Sequence, residues 1–310
     1  MVRKIEPPLA SSSAAEPQRA AIVVAPAPVT EMDYAAWQVQ MERLNFSCGT
    51  IDGGFGMRSR RSIIQFQKSR GLAVTGMLDI ETRMALGTPG NPFALHTVSA
   101  GDMAQINPPP ATWRAKSQAA FLGYKNAWEM LADKFHSSEE FLRKLNPNIQ
   151  SPSAGAVVTV PNLEPAAPIT RASKIVIILS ETTMLLYDRN GRLQACFPCS
   201  IAADKNKRPN GRLTVTNSAL NPNYTFSPEV FREAAEREGI TSKIIIPPGP
   251  NNPVGLAWVS LSLPGYGIHG TPNPREISRS GSHGCFRLAN WNAIKVYKAV
   301  ARDTPVEIVE

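Results

Sequence analysis

The sequence predicts a multidomain α+β protein, and three observations lead to this fold class. The 310 residues are enough for two or three domains that each bury a modest core. Apolar residues recur at helical spacing over roughly residues 33–87. After residue 173 the pattern changes to short apolar runs bounded by turn residues, which is typical of strands. We therefore expect a small helical unit first and a mostly β domain last.

Composition excludes several classes of protein. With 43% hydrophobic and 19% charged residues the chain is not disordered overall, and no run of 18 apolar residues marks an integral membrane protein. The formal charge of +8, from 33 Lys and Arg against 25 Asp and Glu, is scattered along the chain. Because no basic face interleaved with aromatic residues is visible, nucleic acid is not an expected partner.

Residues 1–32 have the composition of a flexible, Ala- and Pro-rich leader. Val2–Lys4 could begin a secretory signal, but Ile5–Pro8 follows where an apolar segment is needed. No intact signal is visible. Either the chain stays in the cytosol, or Met1 lies downstream of a signal that this sequence lacks.

Three helices are predicted within residues 33–90, where apolar residues follow helical spacing. The second helix ends at Gly71, which suits a C′ position. The third begins at Asp79 as an N-cap and is expected to direct Met84 and Leu86 inward. A unit of this size is expected to bind a ligand rather than to catalyse a reaction.

This first unit resembles the peptidoglycan-binding domain of bacterial wall hydrolases. The matching elements are Asp52–Gly56, Ile64–Gln67, Gly71–Leu72, Gly76 and Thr82. Thr75 departs from the pattern, because the family usually has an acidic residue before that glycine. The resemblance implies a three-helix fold and peptidoglycan as the ligand.

Residues 96–162 resemble a LysM domain, a small βααβ module that binds cell walls. His96–Asp102 matches its start, and the pattern resumes at Trp128–His136. Residues 103–127 would be an insertion that splits the module. From the residues alone, a generic β–α linker domain is the alternative.

A proline-rich linker at 163–172 precedes a mostly β domain at 173–310. Its predicted strands are 174–179, 184–187, 193–201, 213–216, 258–263 and 306–309. One helix, Trp291–Ala301, is expected with Asn290 as its N-cap. A short insertion helix is expected within 228–238.

Cys196 and Cys199 form a CxxC motif inside an apolar strand. Residues three apart in a strand face opposite sides, so the two thiols are not expected to meet. A zinc site or a redox pair is therefore not expected there.

The densest set of chemically active residues is Tyr266–Thr271 followed by Ser280–Leu288. A nucleophilic thiol needs a nearby base, and His269 could serve Cys285 if two strands bring them together. Neighbouring glycines allow close backbone approach and an oxyanion hole. Three nearby cations, Arg275, Arg279 and Arg287, are expected to lower the thiol pKa and to attract a substrate carboxylate.

The residues alone leave two alternatives to a cysteine nucleophile. His269, His283 and Cys285 could hold a zinc ion, although no HExxH motif occurs. Cys285 could also be a small buried apolar residue, and the histidines could make ordinary hydrogen bonds.

The same motifs resemble the L,D-transpeptidase catalytic domain of the YkuD family. His269–Thr271, Ser282–Cys285 and Arg287–Leu288 match its central pattern, and the similarity spans about 173–309. Phe286 stands where an aliphatic residue is usual, and Asn292 replaces a common Asp. Neither departure removes a catalytic group.

The resemblance assigns a role to each matching residue. Cys285 is the expected nucleophile and His269 its base. His283 and Gly284 would shape the pocket and, with the Cys285 amide, the oxyanion hole, while Ser282 would support the imidazole. The expected substrate-binding residues are Tyr266, Gly270 and Arg287, the last of which would bind a carboxylate or hold the loop.

The implied function is a cysteine-dependent L,D-transpeptidase that forms 3→3 peptidoglycan cross-links through an acyl-enzyme on Cys285. The acceptor would be a stem amine or a lysine of a wall-attached lipoprotein. An L,D-carboxypeptidase and a non-catalytic wall-anchoring protein are the alternatives. Peptidoglycan tetrapeptide stems are the expected partner, no metal or organic cofactor is expected, and the substrate implies the periplasm or cell envelope.

Overall fold

The computed structural model describes residues 30–282 and 284–310. Most of the leader, and with it the signal-peptide question, lies outside these ranges, as does His283. The described chain is α+β, with a helical N-terminal unit and a mostly β C-terminal domain, so the predicted fold class is confirmed. No helix in these ranges has both the length and the apolar character that a membrane span requires.

The N-terminal unit consists of three helices, α1 (Glu31–Arg43), α2 (Met57–Arg70) and α3 (Ile80–Leu86). Gly71 ends α2 in the left-handed conformation, with φ of 66°, and the Asp79 side chain caps α3 by accepting from the Thr82 amide. Both local predictions are confirmed.

The expected inward direction of Met84 is wrong, because 76% of its side chain is exposed while Leu86 is buried. Positions two apart in a helix lie about 200° apart, so the two side chains cannot share one face.

The middle unit begins and ends with strands that pair antiparallel, β1 (Phe93–Thr97) and β2 (Val157–Pro161). Between them lie α4 (Ala100–Met103), α5 (Trp113–Gln118), α6 (Ala127–Lys134) and α7 (Glu139–Leu145). Val98, Trp128, Leu131, Leu142 and Val158 are among its core residues.

The C-terminal domain is built on an eight-stranded sheet with the order β11-β10-β9-β6-β12-β3-β4-β5. Its strands are β3 (Lys174–Ile178), β4 (Thr183–Tyr187), β5 (Leu193–Pro198), β6 (Gly211–Leu220), β9 (Ala257–Leu261), β10 (Gly267–His269), β11 (Phe286–Arg287) and β12 (Pro305–Val309). An insertion between β6 and β9 holds the hairpin of β7 (Tyr224–Phe226) and β8 (Ile244–Ile246), with α8 (Arg232–Glu238) between them. The last helix is α9 (Asn290–Ala299).

Both faces of the β3–β5 region are covered, which explains the continuous apolar run Met184–Tyr187. Met184 and Leu186 pack in the core of the C-terminal domain, whereas Leu185 packs against the three-helix unit. Cys196 likewise faces the three-helix unit and Cys199 faces the core, and both are free thiols. The expectation that these two cysteines face opposite sides is confirmed.

The prediction that Asn290 is the N-cap of the last helix, α9, is wrong. Ala289 holds that position, and Asn290 is the first helical residue. Its Oδ1 instead accepts the amide of Leu256 at 3.1 Å and lies against Gly270, where an added Cβ would stand 2.4 Å from this oxygen. Asn290 therefore fixes the segment that follows His269.

A buried charged cluster joins all three units of the chain. Glu42 of α1 is 2% exposed, and its Oε1 lies 2.9 Å from Nδ1 of His136 and 2.7 Å from Nζ of Lys295 in α9. The His136 ring also stacks on Trp291, with 4.9 Å between ring centroids. Burial alone would raise the pKa of Glu42, but Lys295 and His136 hold it well below its ordinary value. The carboxylate is therefore ionised.

Replacing Glu42 with glutamine is expected to lower the free energy of unfolding by about 3–5 kcal/mol, because Lys295 and His136, both only partly exposed, would lose the buried carboxylate that pairs with them. Since the folded pKa of Glu42 lies below its ordinary 4.5, its contribution is present above about pH 4.5 and is lost as pH falls further. Urea unfolding of wild type and Glu42→Gln over this pH range measures the free energy of unfolding.

Glu31→Gln, which breaks only the exposed pair with Lys144, is the control and should change stability by less than about 1 kcal/mol. An equal effect of both substitutions would contradict the account.

Candidate active site

The short parallel pair of β10 and β11 brings His269 and Cys285 to one face of the sheet. Ile268 is aligned with Phe286 and His269 with Arg287. Ile268 and Phe286 both point into the core. Because side chains alternate along a strand, those of Cys285 and His269 lie on the opposite face. The thiol lies beside the backbone of Gly265 and Gly267, at the start of β10. The two sequence motifs are therefore on neighbouring strands and share one face of the sheet.

The hydrogen bonding of His269 defines its tautomer. Nδ1 lies 2.6 Å from the carbonyl oxygen of Gly270, which can only accept, so Nδ1 carries the proton. Burial lowers the pKa of His269 to about 4, with a smaller opposing effect of the Gly270 bond. At neutral pH the ring is therefore neutral, and the lone pair of Nε2 is available to accept a proton.

Trp258 holds the imidazole in place, and no sequence motif indicates this residue. It is the cross-strand partner of His269, and the two rings stack with centroids 5.4 Å apart and 20° between their planes. The indole also occupies the space above Gly267, where an added Cβ would lie 2.5 Å from the ring. Only the register of β9 against β10 connects Trp258 with the HG motif, which is why the motif alone does not indicate it.

Cys285 is the one cysteine of the four that is not buried. Its thiol donates to the carbonyl oxygen of Gly265 at 3.5 Å. Burial raises the pKa of Cys285, and a hydrogen bond from the Gly267 backbone opposes this only in part. The resting site therefore contains a neutral thiol and a neutral imidazole on one face of the sheet.

The expected lowering of the Cys285 pKa by nearby arginines is wrong. Arg275 pairs with Glu140. The Arg287 guanidinium donates to the carbonyl oxygens of Ser280 and Gly281 at 2.7 and 2.9 Å. Two of the three guanidinium groups thus have other partners, no arginine is among the causes that shift the Cys285 pKa, and burial of the thiol dominates.

Ser282 orders the loop before the cysteine rather than contacting the imidazole. Its hydroxyl donates to the Cys285 carbonyl oxygen at 2.5 Å and accepts the Gly284 amide at 3.2 Å. Since the Gly284 amide is engaged in this bond, it is not free to donate to an oxyanion in this conformation. The role expected for Ser282 at the imidazole therefore does not match its position.

Arg287 holds the same loop in place. Besides its bonds to the loop carbonyls, its backbone pairs with Ser200, with N–O distances of 3.0 and 2.9 Å in the two directions. Its Nε is buried without a partner among the described residues. Of the two roles that the sequence left open for Arg287, the geometry favours holding the loop.

Tyr266 lies beside the cysteine loop. Its hydroxyl donates to the Lys207 carbonyl oxygen at 3.0 Å, and its ring faces Gly284, where an added Cβ would stand 3.3 Å from Cε1. Gly270, the other expected substrate-binding residue, is packed against Asn290 and Gly255, so its backbone supports His269.

Within residues 30–282 and 284–310, no three His, Cys, Asp or Glu side chains are grouped so that they could hold a metal ion. The chemistry that the described site can perform is proton transfer from a thiol to an imidazole, followed by nucleophilic attack by sulfur.

The rate at which iodoacetamide alkylates Cys285 is expected to rise about tenfold per pH unit from about pH 6 and to be still rising near pH 9, since only the thiolate reacts. Intact-mass measurements over this pH range give the rate, and urea-denatured protein, with a thiol pKa of about 8.5, is the reference. A plateau below about pH 7 would instead indicate a preformed thiolate–imidazolium pair.

Two family models match this chain. Residues 172–308 match the YkuD family, described as the L,D-transpeptidase catalytic domain, and residues 33–86 match a "putative peptidoglycan binding domain". Neither model covers the middle unit, so the LysM-like module stays a prediction.

Curated relatives and solved structures carry the same enzyme name. A Bacillus licheniformis protein named "Putative L,D-transpeptidase YkuD" is 28% identical over 182 residues, which are 58% of this chain and 92% of the relative. A Salmonella typhimurium protein named "Probable L,D-transpeptidase ErfK/SrfK" is 26% identical over 231 residues, 72% of this chain and 74% of the relative.

Among solved structures, an L,D-transpeptidase from Mycobacterium smegmatis matches with a TM-score of 0.35 and 17% identity, over 51% of this chain and 65% of that one. Because this structural likeness is low, the family of each domain is taken from the sequence matches alone. Residues 172–308 form a YkuD-type L,D-transpeptidase catalytic domain, residues 33–86 form a peptidoglycan-binding domain, and the protein is an L,D-transpeptidase.

Proposed function

We propose that Cys285 is the nucleophile of this enzyme and that His269 is its general base. The observation that carries the proposal is the β10–β11 pairing, which directs both side chains to one face of the sheet. Cys285 is also the least buried of the four cysteines. The neutral His269, with its proton on Nδ1, supports a role for Nε2 as the acceptor of the thiol proton.

The proposed donor is a peptidoglycan tetrapeptide stem that ends in D-Ala. Nε2 of His269 takes the thiol proton, and the thiolate attacks the carbonyl carbon at the L-centre of diaminopimelate. The C–N bond to D-Ala then breaks, and the imidazolium returns its proton to the leaving amine. The product of this half-reaction is a thioester on Cys285 and free D-Ala.

In the second half-reaction an amine of another stem attacks the thioester. His269 takes a proton from this amine, the C–S bond breaks, and the imidazolium returns that proton to the sulfur of Cys285. The new amide is a 3→3 cross-link between two stems. The lysine of a wall-attached lipoprotein is the other proposed acceptor.

The N-terminal units are proposed to keep the catalytic domain on its polymeric substrate. The peptidoglycan-binding domain at 33–86 supports this proposal, and residues 96–162 are proposed to act as a split LysM-like module. Two weak attachments on one chain raise the local concentration of stems. The substrate also supports a location in the periplasm or cell envelope.

The proposed function is tested by incubating the full chain with a disaccharide-tetrapeptide and analysing the products by mass spectrometry. Free D-Ala together with dimers that carry a 3→3 bond is the expected result. Free D-Ala with tripeptide as the only other product would identify an L,D-carboxypeptidase. Folded, reduced protein that releases no D-Ala would contradict the proposed reaction.

A further inference from the structure

The insertion between β6 and β9 leaves the sheet at the end that carries the active site. Leu220, the last residue of β6, is aligned with Ala257 of β9. The carbonyl oxygen of Ala257 accepts the amide of Gly270, the residue after His269. The insertion of residues 221–256, here named the cover, therefore starts and ends beside the segment that follows His269.

Tyr224 lies in β7 of the cover. Burial raises the pKa of Tyr224 to about 12, and a thiolate charge on Cys285 would add to this increase. The motifs in the sequence do not indicate Tyr224, since it lies 61 positions before Cys285.

The cover does not stand alone, because α5 of the middle unit packs against it. The Trp113 ring lies among three aromatic rings of the cover, with centroid distances of 6.2 Å to Tyr224, 4.6 Å to Phe226 and 6.0 Å to Phe231. These rings belong to one apolar cluster that also contains Leu122, which is fully buried. Offset and tilted aromatic pairs of this kind are mutually stabilising.

Polar contacts add to this packing. Nη2 of Arg114 donates to the carbonyl oxygens of Glu238 and Gly239 at 3.2 and 3.0 Å, at the C-terminus of α8. A cation at this end of a helix is favourable.

Leu122 binds the segment of the cover that follows β8 through its backbone. Its amide donates to the carbonyl oxygen of Pro248 at 2.8 Å, and its own carbonyl oxygen accepts the amide of Asn251 at 3.1 Å. Gly249 lies so close that an added Cβ would stand 2.2 Å from the Leu122 oxygen. The contact requires a glycine at this position.

We propose that residues 113–123, a part of the segment between α4 and α6 of the middle unit, act as a clasp that holds the cover against the active site. Trp113 is the central positioning residue, because it contacts Tyr224 directly. The clasp makes the donor site depend on a segment outside the catalytic domain. This inference rests on the proposed function for its effect on the donor stem, but not for the contacts themselves.

The proposal is tested with Trp113→Ala and Arg114→Ala in the full chain. Trp113→Phe is the conservative variant, and Gln118→Ala, at an exposed position of the same helix, is the matched control. Three readouts are taken: hydrogen exchange of residues 224–246, the alkylation rate of Cys285 at constant pH, and KM and kcat for a tetrapeptide donor. The number of alkylated cysteines separates opening from unfolding, since Cys48, Cys196 and Cys199 are buried.

In Trp113→Ala we expect faster exchange of the cover, roughly tenfold faster alkylation of Cys285 alone, and roughly a tenfold higher KM with kcat changed less than about threefold. Arg114→Ala should change the same quantities less, and the other two variants should behave like wild type. Alkylation of more than one cysteine in Trp113→Ala would mean that this variant is unfolded. The test of the clasp then depends on Arg114→Ala, which removes only the contact of the Arg114 side chain with the C-terminus of α8.

Exchange, alkylation and KM that are all unchanged in folded Trp113→Ala and Arg114→Ala would overturn the clasp. A wild type that releases no D-Ala would contradict the proposed function instead, and the exchange and alkylation measurements would still decide on the clasp.

Discussion

Replacing Cys285 with alanine is expected to lower the rate of D-Ala release by at least about 10⁴-fold, because no other group can form the acyl-enzyme. The other three cysteines cannot substitute for it. Burial raises the pKa values of Cys48 and Cys199 to about 12 and also raises that of Cys196. The rate is measured as D-Ala released from a disaccharide-tetrapeptide.

Cys199→Ala is the matched control, since it removes a thiol from the same domain but from a buried position. This variant should keep activity within about threefold of wild type, because it loses only a small buried group. Retention of more than about 1% of wild-type activity by Cys285→Ala would contradict the assignment of the nucleophile.

Replacing His269 with alanine is expected to lower kcat by about 10²–10⁴-fold, the usual contribution of a general base. The effect should be largest near neutral pH, because the raised thiol pKa leaves little thiolate without a base. Above about pH 9 the variant should recover part of the loss, as hydroxide takes over the deprotonation. A pH profile of kcat for both proteins measures this.

Trp258→Phe is the companion to that experiment. It keeps an aromatic ring against the imidazole but removes the indole, whose Nε1 donates to the Ser260 hydroxyl at 2.7 Å. The expected loss is below about tenfold, because the base itself remains. A His269→Ala variant with the kcat and pH profile of wild type would show that another group accepts the thiol proton.

Much of the fold could be predicted because its signals are local. Gly71 ends α2 since a left-handed residue there needs a glycine, and Asp79 caps α3 through its own side chain. The run Met184–Tyr187 indicates a strand that is buried on both faces. The inward direction predicted for Met84 is wrong, because the helical period puts it and the buried Leu86 on different faces of α3.

The site could be predicted in its motifs but not in its environment. His269 and Cys285 follow from two short sequence patterns, whereas Trp258 reaches His269 only through strand register. The direction of the Cys285 pKa depends on burial and on the partners of the arginines, and neither is encoded near the cysteine. The contact of Trp113 with Tyr224 joins residues of two different units.

Trapping the acyl-enzyme tests the central claim most directly. Reduced wild-type protein is mixed with a disaccharide-tetrapeptide, quenched in acid within its first turnovers, and examined by intact-mass measurement and peptide mapping. The expected result is one adduct with the mass of the donor minus D-Ala, located on Cys285. D-Ala release without any adduct, or an adduct on a different residue, would contradict it.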